Sequence, residues 1–529
     1  MIGKRRTGRV SKGVTPLQIT SWHSFRGSAL TLPDAAGGVI VFAIKSVWGA
    51  PSPANSIRPF AAHRLPKPEE PDVTASALAV HLFRILSPDA VIEPGSTDYE
   101  SLRNVWNGMI DRRPAVIVRP TQAGQVARIV EIAARDEVPL AVRGGGHSFP
   151  GFSTCDGGIL LDLSRMNRIT VDPAARVAEV GGGALLGDMD RAGAPFGLIT
   201  PAGLVSHTGA GGLTLGGGMG WTSRRLGLTI DSLLAAEVVT ADGRIIETGP
   251  TVEPELFWGL RGGGGNFGVV TQFRFRLHPL GPVTVGSWLY APQRMSDALR
   301  QVTELAALAP RSQTTTLNAT TSGLAVTAFH SGTDGLGEVS VAPFGALAGP
   351  GSGGMADTDY VTLQSRSDTE MRWGRRYYAK GGFLATLDAN TVDLIAALAR
   401  TAPTADSEIY LIQLGGAVAD VPEEATAYSG RSAGFYWIVQ PIWDAPSDDA
   451  RCLSWGKHGG EAMSARSQAG NYLNEQGDVR KELTMLAYGQ DKYDRLARLK
   501  AQFDPDNLFR LNQNIAPATT GAANPHTTP

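Results

Sequence analysis

The residues best suited to chemistry in this sequence are two histidines that stand beside glycine clusters. His147 follows three glycines in LAVRGGGHSFPG (140–151), and His207 precedes a second cluster in GLVSHTGAGG (203–212). A histidine in such a place can close a turn, bind a metal, act as a base or act as a nucleophile. None of the nine histidines has the spacing to another His or Cys that suits a metal site, so we predict no metal ligand. The other roles depend on what the glycines bind.

Glycine is both enriched and clustered in this chain. It accounts for 64 of 529 residues, about 12%, against about 7% in an average protein. Successive N–H groups in glycine turns form nests that bind anions such as a pyrophosphate, and several nests can line a long ligand such as FAD. Gly263–Gly268 has the spacing GxGxxG, but a helix pattern precedes it and a strand pattern follows. This order is the reverse of a Rossmann site, so we predict none.

Short strands and a helix position the first glycine loop. PAVIVRP (114–120) predicts a strand, and residues 121–134 predict an amphipathic helix that Thr121 caps. LAVR (140–143) predicts a further strand, so His147 comes directly after a strand–helix–strand unit. Further along the chain, Asp242-Gly243 is typical of a hairpin turn.

The pattern of the sequence changes after Pro282, where glycine clusters give way to alternating strand and helix patterns, and this change indicates a second domain. Strand patterns such as SEIYLIQLGG (407–416) and GFYWIVQPIW (434–443) alternate there with helical stretches, and Leu347–Asp357 predicts a loop. An amphipathic helix over 491–505 follows. We predict five regions: an N-terminal extension (1–95), a first domain (96–284), a second domain (285–477), a return to the first domain (478–517) and a disordered tail (518–529).

Composition excludes several classes of partner. The chain has 48 Lys and Arg against 50 Asp and Glu, which gives no electrostatic reason to expect nucleic acid or an anionic membrane. Its only cysteines, Cys155 and Cys452, form no disulfide framework. The extension does not match a secretory signal, because Lys45 interrupts an apolar run that lies far from the basic start. We expect a poorly ordered leader there.

Six motifs occur in order along the chain: VRGGGHSFPG (142–151), DGGILLDLSRMN (156–167), AEVGGGALLGD (178–188), TGAGGLTLGGGMGWTSRRLGLTIDSL (208–233), LFWGLRGGGGNFGVVT (256–271) and FDPDNLFRLNQNI (503–515). Together they resemble the FAD-linked oxidases of the vanillyl-alcohol oxidase and berberine-bridge-enzyme type, and most closely their bacterial branch. The resemblance implies an α+β fold with a two-subdomain FAD-binding (PCMH-type) domain and a substrate domain, in which helices flank an antiparallel sheet.

The resemblance also implies how FAD is held. It makes His147 the covalent attachment point to the flavin 8α-methyl. Relatives often carry a second link from a cysteine, but this chain has Val205 there, which implies a single link. The further cofactor contacts that the resemblance implies are Arg143, Gly144, Gly145, Gly146 and Ser148 in the first glycine loop, Gly209, Gly211, Gly212, Gly217, Gly220, Trp221 and Asp231 in the second motif region, Val269 and Val270, and Asn512 and Asn514 near the C-terminus.

The chain departs from the family at the usual catalytic base, because it has Met219 and Ala469 where the family often has tyrosine. A free phenol has a pKa of about 10 and needs a neighbouring cation to act as a base near neutral pH. Packing or a hydrogen bond is the alternative role for every candidate, and an amine bound in its neutral form needs no base. The candidates are Tyr472, His207, Tyr410 and Gln413.

These observations predict an FAD-dependent oxidase. It takes a hydride from a C–H group that bears OH or NH, passes it to flavin N5 and returns the electrons to O2 as hydrogen peroxide. Its partners are then a small-molecule substrate and O2. The alternatives are an FAD-dependent dehydrogenase, a tailoring enzyme of secondary metabolism, or a flavin-binding protein that has lost catalysis. The sequence identifies neither the substrate nor the oligomeric state or location.

Overall fold

The computed structural model of the protein describes residues 31–33, 39–41 and 73–519. The chain divides into two units, 1–69 and 70–529. In the first unit, β1 (Thr31–Pro33) pairs antiparallel with β2 (Val39–Val41). The predicted disorder of the leader and of the tail beyond residue 519 concerns residues outside the described ranges. All elements described below belong to the second unit.

The second unit begins with a four-stranded sheet. Its elements are α1 (Val73–Phe83), β3 (Val91–Ile92), α2 (Tyr99–Arg103), β4 (Val116–Val118), α3 (Ala123–Arg135), β5 (Leu140–Arg143) and β6 (Ile159–Asp162). The sheet order is β3-β4-β6-β5, and the last three strands are parallel.

This sheet contains the predicted strand–helix–strand unit, with β6 lying between its two strands. Val126, Ile129 and Val130 of α3 are fully buried, as the helical pattern predicted. The helix begins at Ala123, one residue later than a Thr121 cap predicts, and Gln122 occupies the N-cap position. The structure also corrects the boundary of the extension, because α1 and β3 already belong to this sheet and its core.

A five-stranded antiparallel sheet follows. Its strand order is β11-β10-β12-β8-β7. The elements of this part of the chain are β7 (Ile169–Asp172), β8 (Val177–Gly181), α4 (Leu186–Gly193), β9 (Leu198–Ile199), α5 (Ala210–Gly216), α6 (Ser223–Leu226), β10 (Leu233–Val239), β11 (Ile245–Thr248), α7 (Pro254–Leu260), β12 (Val269–Arg276) and β13 (His278–Pro279).

Two predictions are confirmed in this sheet. Asp242-Gly243 connects β10 to β11, and Gly243 adopts the positive φ of 79° that the hairpin turn requires. Helix α7 precedes the glycine loop 262–268 and strand β12 follows it. The loop is therefore not the turn of a Rossmann unit.

The largest sheet has seven strands in the order β17-β14-β16-β15-β20-β21-β19. The elements are β14 (Val283–Tyr290), α8 (Met295–Leu308), β15 (Gln313–Thr320), β16 (Gly323–His330), α9 (Gly337–Ala348), β17 (Gly353–Thr358), α10 (Tyr360–Gln364), β18 (Arg376–Tyr377), β19 (Lys380–Leu384), α11 (Ala389–Arg400), β20 (Glu408–Gln413), α12 (Ala417–Asp420), β21 (Phe435–Gln440), β22 (Ile442–Trp443) and α13 (Asp449–Ser464).

Helices cover one face of this sheet. Ile409 and Leu411 of β20 pack there in one apolar cluster with residues of α8, α11 and α13. Because side chains alternate along a strand, Glu408, Tyr410 and Ile412 point to the other face. The structure corrects two predictions here: β14 begins before the predicted boundary at 284/285, and the predicted loop at Leu347–Asp357 contains most of the edge strand β17.

The chain ends with two helices, α14 (Lys481–Tyr488) and α15 (Gln490–Phe503). Tyr493, Leu496 and Phe503 of α15 pack in the core of the five-stranded sheet, which confirms the amphipathic pattern. No helix within the described residues is both long and apolar enough to cross a bilayer.

Candidate active site

A cavity of about 410 Å³ lies where the glycine loops meet the uncovered face of the seven-stranded sheet. One wall consists of backbone from the loops around 144–153, 203–216 and 262–268, together with β12 and the C-terminal segment 509–513. The opposite wall consists of side chains from β15, β20 and β21. The segment 472–475 closes the cavity between them. The six motifs of the sequence thus contribute mainly to one side of a single cavity.

The glycine loops touch one another through their backbones. A Cβ built on Gly145 would lie 2.2 Å from the backbone nitrogen of Gly209, so only glycine allows this contact. Gly146 has a φ of +72°, which also favours glycine. Gly212 and Gly265 differ, because a Cβ there would meet no protein atom within 4 Å, although both residues line the cavity. Their backbones face open space that a ligand can occupy.

His147 is held in the cavity wall by contacts with Trp106 and His207. Its ring stacks on Trp106 at a centroid distance of 4.8 Å, and Trp106 stacks in turn on Tyr377. Its Nε2 lies 2.7 Å from Nδ1 of His207. Burial, followed by the neighbouring His207, holds the pKa of His147 well below its usual value. The imidazole is therefore neutral at physiological pH and retains a nucleophilic nitrogen lone pair.

The sheet wall presents polar and aromatic groups in register. Glu408 lies opposite Gln440, and Ile412 lies opposite Tyr436 on the paired strands β20 and β21. Tyr410 lies between these two pairs. Its hydroxyl and the Nε2 amide group of Gln440 are both buried and have no hydrogen-bond partner among the described residues. The wall therefore offers unused hydrogen-bonding groups to a small molecule.

Two carboxyl groups face this cavity. Burial raises the pKa of Glu408 to about 7, although a hydrogen bond from Asn318 opposes the shift. Burial likewise raises the pKa of Glu475 to about 7, opposed by the Tyr436 hydroxyl, while the charge of Glu408 adds to the increase. Neither Lys nor Arg is among the described residues that line the cavity. Each carboxyl can therefore hold or release a proton near neutral pH.

Tyr472 and Tyr410 do line the cavity, but neither is suited to act as a base. Burial raises the pKa of both phenols, and Glu475 raises it further in each case. The Tyr472 hydroxyl accepts a hydrogen bond from Asn474, 3.1 Å away. A phenol beside a carboxylate keeps its proton, whereas the predicted role required a cation as neighbour.

Gln413 has a different position from the predicted one. Its side chain points to the helical face of the sheet and donates a hydrogen bond to the Ala306 carbonyl, 2.6 Å away. The reason is the two-residue period of the strand, which puts Gln413 on the face opposite Tyr410. Gln413 therefore lies outside the described lining of the cavity.

Several residues that we predicted as cofactor contacts do not line the cavity but pack around it. Trp221 packs against Phe329 in a separate apolar cluster, and Asp231 forms an ion pair with Arg431 at 2.8 Å. Arg143 pairs with Asp162 at 2.8 Å. Gly217, Gly220 and Asn514 are likewise outside the described lining of the cavity.

Packing explains why glycine occupies positions 217 and 220. A Cβ on Gly217 would meet the Tyr428 ring at 2.6 Å, and a Cβ on Gly220 would meet the Ala202 carbonyl oxygen at 2.0 Å. The resemblance pointed to segments that contribute to the cavity, but it did not separate residues that line the cavity from residues that pack behind its wall. The remaining predicted contacts line the cavity: Gly144, Gly145, Gly146, His147, Ser148, Gly209, Gly211, Gly212, Val269, Val270 and Asn512.

Sequence reasoning missed Glu408, Glu475, Tyr436 and Gln440. The available signal was the alternation in EIYLIQ (408–413), where a charged and an aromatic residue share one face of a strand whose other face is apolar. Glu475 had no such signal, because it lies in an irregular segment.

The wall residues suit FAD. Backbone groups of glycine loops bind a pyrophosphate, and the space beside Gly212 and Gly265 admits a ligand without a clash. The buried Oδ1 of Asn512 and Nε2 of Gln513 have no hydrogen-bond partner among the described residues, and both residues line the cavity. These groups can bind the polar edges of a ring system.

Comparison with known families agrees with this cavity. Residues 114–249 match the family described as FAD binding domain, and residues 471–516 match the family described as berberine and berberine like. The first match covers two of the glycine loops, and the second covers Tyr472, Glu475 and Asn512.

Whole-chain relatives extend the match. The chain is 32% identical over 432 residues to an FAD-linked oxidoreductase of Dictyostelium discoideum, which covers 81% of this chain and 94% of that protein. It is 29% identical over 452 residues to (R)-6-hydroxynicotine oxidase of Paenarthrobacter nicotinovorans, covering 81% and 96%.

Solved structures share the fold. The crystal structure of 6-hydroxy-D-nicotine oxidase from Arthrobacter nicotinovorans superposes with a TM-score of 0.72 at 27% identity, covering 81% of this chain and 98% of that one. A chitooligosaccharide oxidase shares the fold with a TM-score of 0.74 at 24% identity, covering 84% and 100%. The α+β fold with a PCMH-type FAD domain is thus confirmed, and the protein is an FAD-dependent oxidoreductase. The chain belongs to the berberine-bridge-enzyme-like family of FAD-linked oxidoreductases, and FAD is its cofactor.

Proposed function

We propose that the protein is an oxidase that removes a hydride from a C–H group bearing OH or NH in a small molecule and delivers the electrons to O2. The observation that carries this proposal is the single cavity that joins the glycine loops to a polar sheet wall. FAD, when bound, supplies the hydride acceptor and the route to O2. Relatives named as oxidases, such as the 6-hydroxynicotine oxidase, support the choice of an oxidase over a dehydrogenase.

We propose further that FAD is bonded to His147 alone. The neutral imidazole in the cavity wall supports this role, and so does Val205, which lines the same cavity and cannot form a second bond. A solved glucooligosaccharide oxidase carries both a 6-S-cysteinyl and an 8α-N1-histidyl link.

The group that takes the substrate proton is, in our proposal, Glu475. Its pKa of about 7 matches a base that must be both ionised and able to accept a proton near neutral pH. Asn474, its neighbour, donates hydrogen bonds to the carbonyls of Gly212 and Leu213, so Glu475 is held at the glycine-lined end of the cavity. Glu408, which lies on β20, binds substrate in this scheme.

The experiment is a panel of primary alcohols, amines and oligosaccharides added to the purified yellow protein in air and without air. We expect at least one compound to bleach the flavin absorbance without air and to produce hydrogen peroxide in air. Rapid bleaching followed by slow reoxidation in air would contradict the oxidase and favour the dehydrogenase. Flavin that no compound of the panel bleaches would favour the inactive flavin-binding protein.

A further inference from the structure

His207 has a contact that the proposed redox reaction does not use. Its Nδ1 lies 2.7 Å from Nε2 of His147, and the two rings are tilted by 40°. Its other nitrogen, Nε2, is buried and has no hydrogen-bond partner within the part of the chain that the structure describes. A histidine this close to the predicted attachment point calls for a chemical explanation.

The contact decides which nitrogen of His147 is free. One of the two facing nitrogens must carry the proton that they share. If His147 donates from Nε2, its Nδ1 keeps a lone pair, and Oγ1 of Thr208 lies 3.5 Å from that nitrogen. If His207 donates instead, the lone pair of His147 Nε2 is occupied and its Nδ1 carries hydrogen. Only the first arrangement leaves a nucleophilic nitrogen available.

The surroundings of His207 favour its acceptance of a proton. Asp368 accepts hydrogen bonds from the backbone nitrogen and the hydroxyl of Ser206, at 3.0 and 2.6 Å. Its negative charge raises the pKa of His207, although burial lowers that pKa by more. His147 has no such carboxylate among the causes of its own shift. The negative charge that can stabilise a proton on this pair of histidines, that of Asp368, therefore acts on His207.

We propose that His207 accepts the Nε2 proton of His147 while Nδ1 of His147 becomes bonded to the 8α carbon of FAD. The inference rests on the covalent attachment in the proposed function. One C–N bond forms, while one C–H bond of the 8α-methyl and the N–H bond of His147 break. The two electrons pass to the isoalloxazine and from there to O2, which leaves as hydrogen peroxide with two protons. One of these protons passes through His207.

The test measures the rate of attachment rather than the rate of turnover. The full chain is produced without flavin in riboflavin-starved cells, FAD is added in air, and the acid-stable flavin is followed with time. We expect His207→Ala to bind FAD but to attach it about 100-fold more slowly, since general acid–base assistance contributes about that much or more. Added imidazole should restore part of the rate.

Two further variants separate proton transfer from positioning. His207→Asn keeps an acceptor oxygen near the place of Nδ1 but cannot take the proton, so we expect it to be as slow as His207→Ala. An attachment rate equal to wild type in either variant would overturn the inference. His278→Asn is the matched control, because His278 contacts Ser232 at 2.9 Å outside the cavity wall; its rate should equal that of wild type.

The bonded atom gives an independent readout. NMR of the flavin peptide should show the link through Nδ1 of His147, and a link through Nε2 would overturn the inference, because the contact with His207 then could not persist. If acid releases the flavin from the wild-type protein, the covalent attachment itself is wrong. If the wild-type flavin is bonded to His147 and His207→Ala attaches it equally fast, only the role of His207 is wrong.

Discussion

At the scale of residues, burial and neighbouring charge decide the role of each group in the cavity. Tyr472 and Tyr410 keep their protons because both burial and the charge of Glu475 raise their pKa values. The same burial brings the pKa of Glu475 from the usual carboxyl range to about 7. In our proposal, a carboxyl therefore takes the substrate proton in place of a phenol.

Replacement of Glu475 by Gln tests this assignment. A base is active in its ionised form, so kcat/KM of the wild type should rise with pH through about 7 and level off above it. Glu475→Gln should lower kcat/KM by about 100-fold or more and remove this rise. The measurement is the pH profile of peroxide formation with a substrate from the panel.

Glu408→Gln is the matched control for the base. Glu408 also has a pKa of about 7, but in our proposal it binds substrate. We expect its replacement to raise KM more than it lowers kcat and to preserve the rise with pH. A loss of the pH dependence in Glu408→Gln, with its retention in Glu475→Gln, would exchange the two roles.

At the scale of elements, the two-residue period of β20 places residues that line the cavity on one face of the strand and residues that pack against helices on the other. Tyr410 and Glu408 point into the cavity, whereas Gln413 points to α8. Gln413→Ala should lower the free energy of unfolding by about 0.5–1.5 kcal/mol, since it removes one buried hydrogen bond, while the Ala306 carbonyl keeps the hydrogen bond from the Ala309 backbone nitrogen. Urea denaturation measures this change, and kcat should stay at the wild-type value. A large loss of kcat without a change in stability would show that Gln413 acts in the site.

Helix α5 allows a test of the glycine wall. Gly212 lies in this helix and faces the cavity, and an added Cβ meets no protein atom. Gly212→Ala should stabilise the flavin-free protein by about 0.5–1 kcal/mol. The added methyl group should raise the Kd for FAD by at least about tenfold, because a loss of about 1.4 kcal/mol of binding free energy already has that effect. Titration with FAD in a His147→Ala background measures the affinity without a covalent bond.

Gly124→Ala is the control for Gly212→Ala. Gly124 lies in helix α3, and its Cβ would also meet no atom within 4 Å. We expect a similar gain in stability and an unchanged affinity for FAD. Equal affinities in the two variants would mean that the cofactor does not pass over Gly212.

Much of this architecture could be predicted because its signals are local. The period of α15, the hairpin at Asp242-Gly243 and the order of α7 and β12 all follow from short patterns. The cavity wall could not be predicted in the same way, because Glu408 and Gln440 meet only through the pairing of β20 with β21. Gly217 and Gly220 look like Gly212 in the sequence, and only their packing shows that they support the wall.

At the scale of the whole molecule, the cofactor connects parts of the chain that are distant in sequence. The cavity wall draws on the first glycine loop, α5, β12, the seven-stranded sheet and the C-terminal segment. Asn512 and Gln513 leave buried polar atoms in this wall without partners. Binding of FAD should therefore stabilise the second unit as a whole.

The size of this stabilisation can be measured in His147→Ala, where binding is reversible. A ligand that binds only the folded state at 1,000 times its Kd stabilises that state by about 4 kcal/mol. We expect Tm to rise steadily with FAD concentration in a single transition. A transition that splits in two would indicate that FAD stabilises only one part of the unit.

The most direct test of the central claim is acid denaturation of the purified protein, followed by mass spectrometry of its peptides. We predict that the yellow flavin stays with the precipitated polypeptide and that a single peptide, the one containing His147, carries the mass of FAD. Flavin released into the supernatant, or found on a residue other than His147, would contradict the claim.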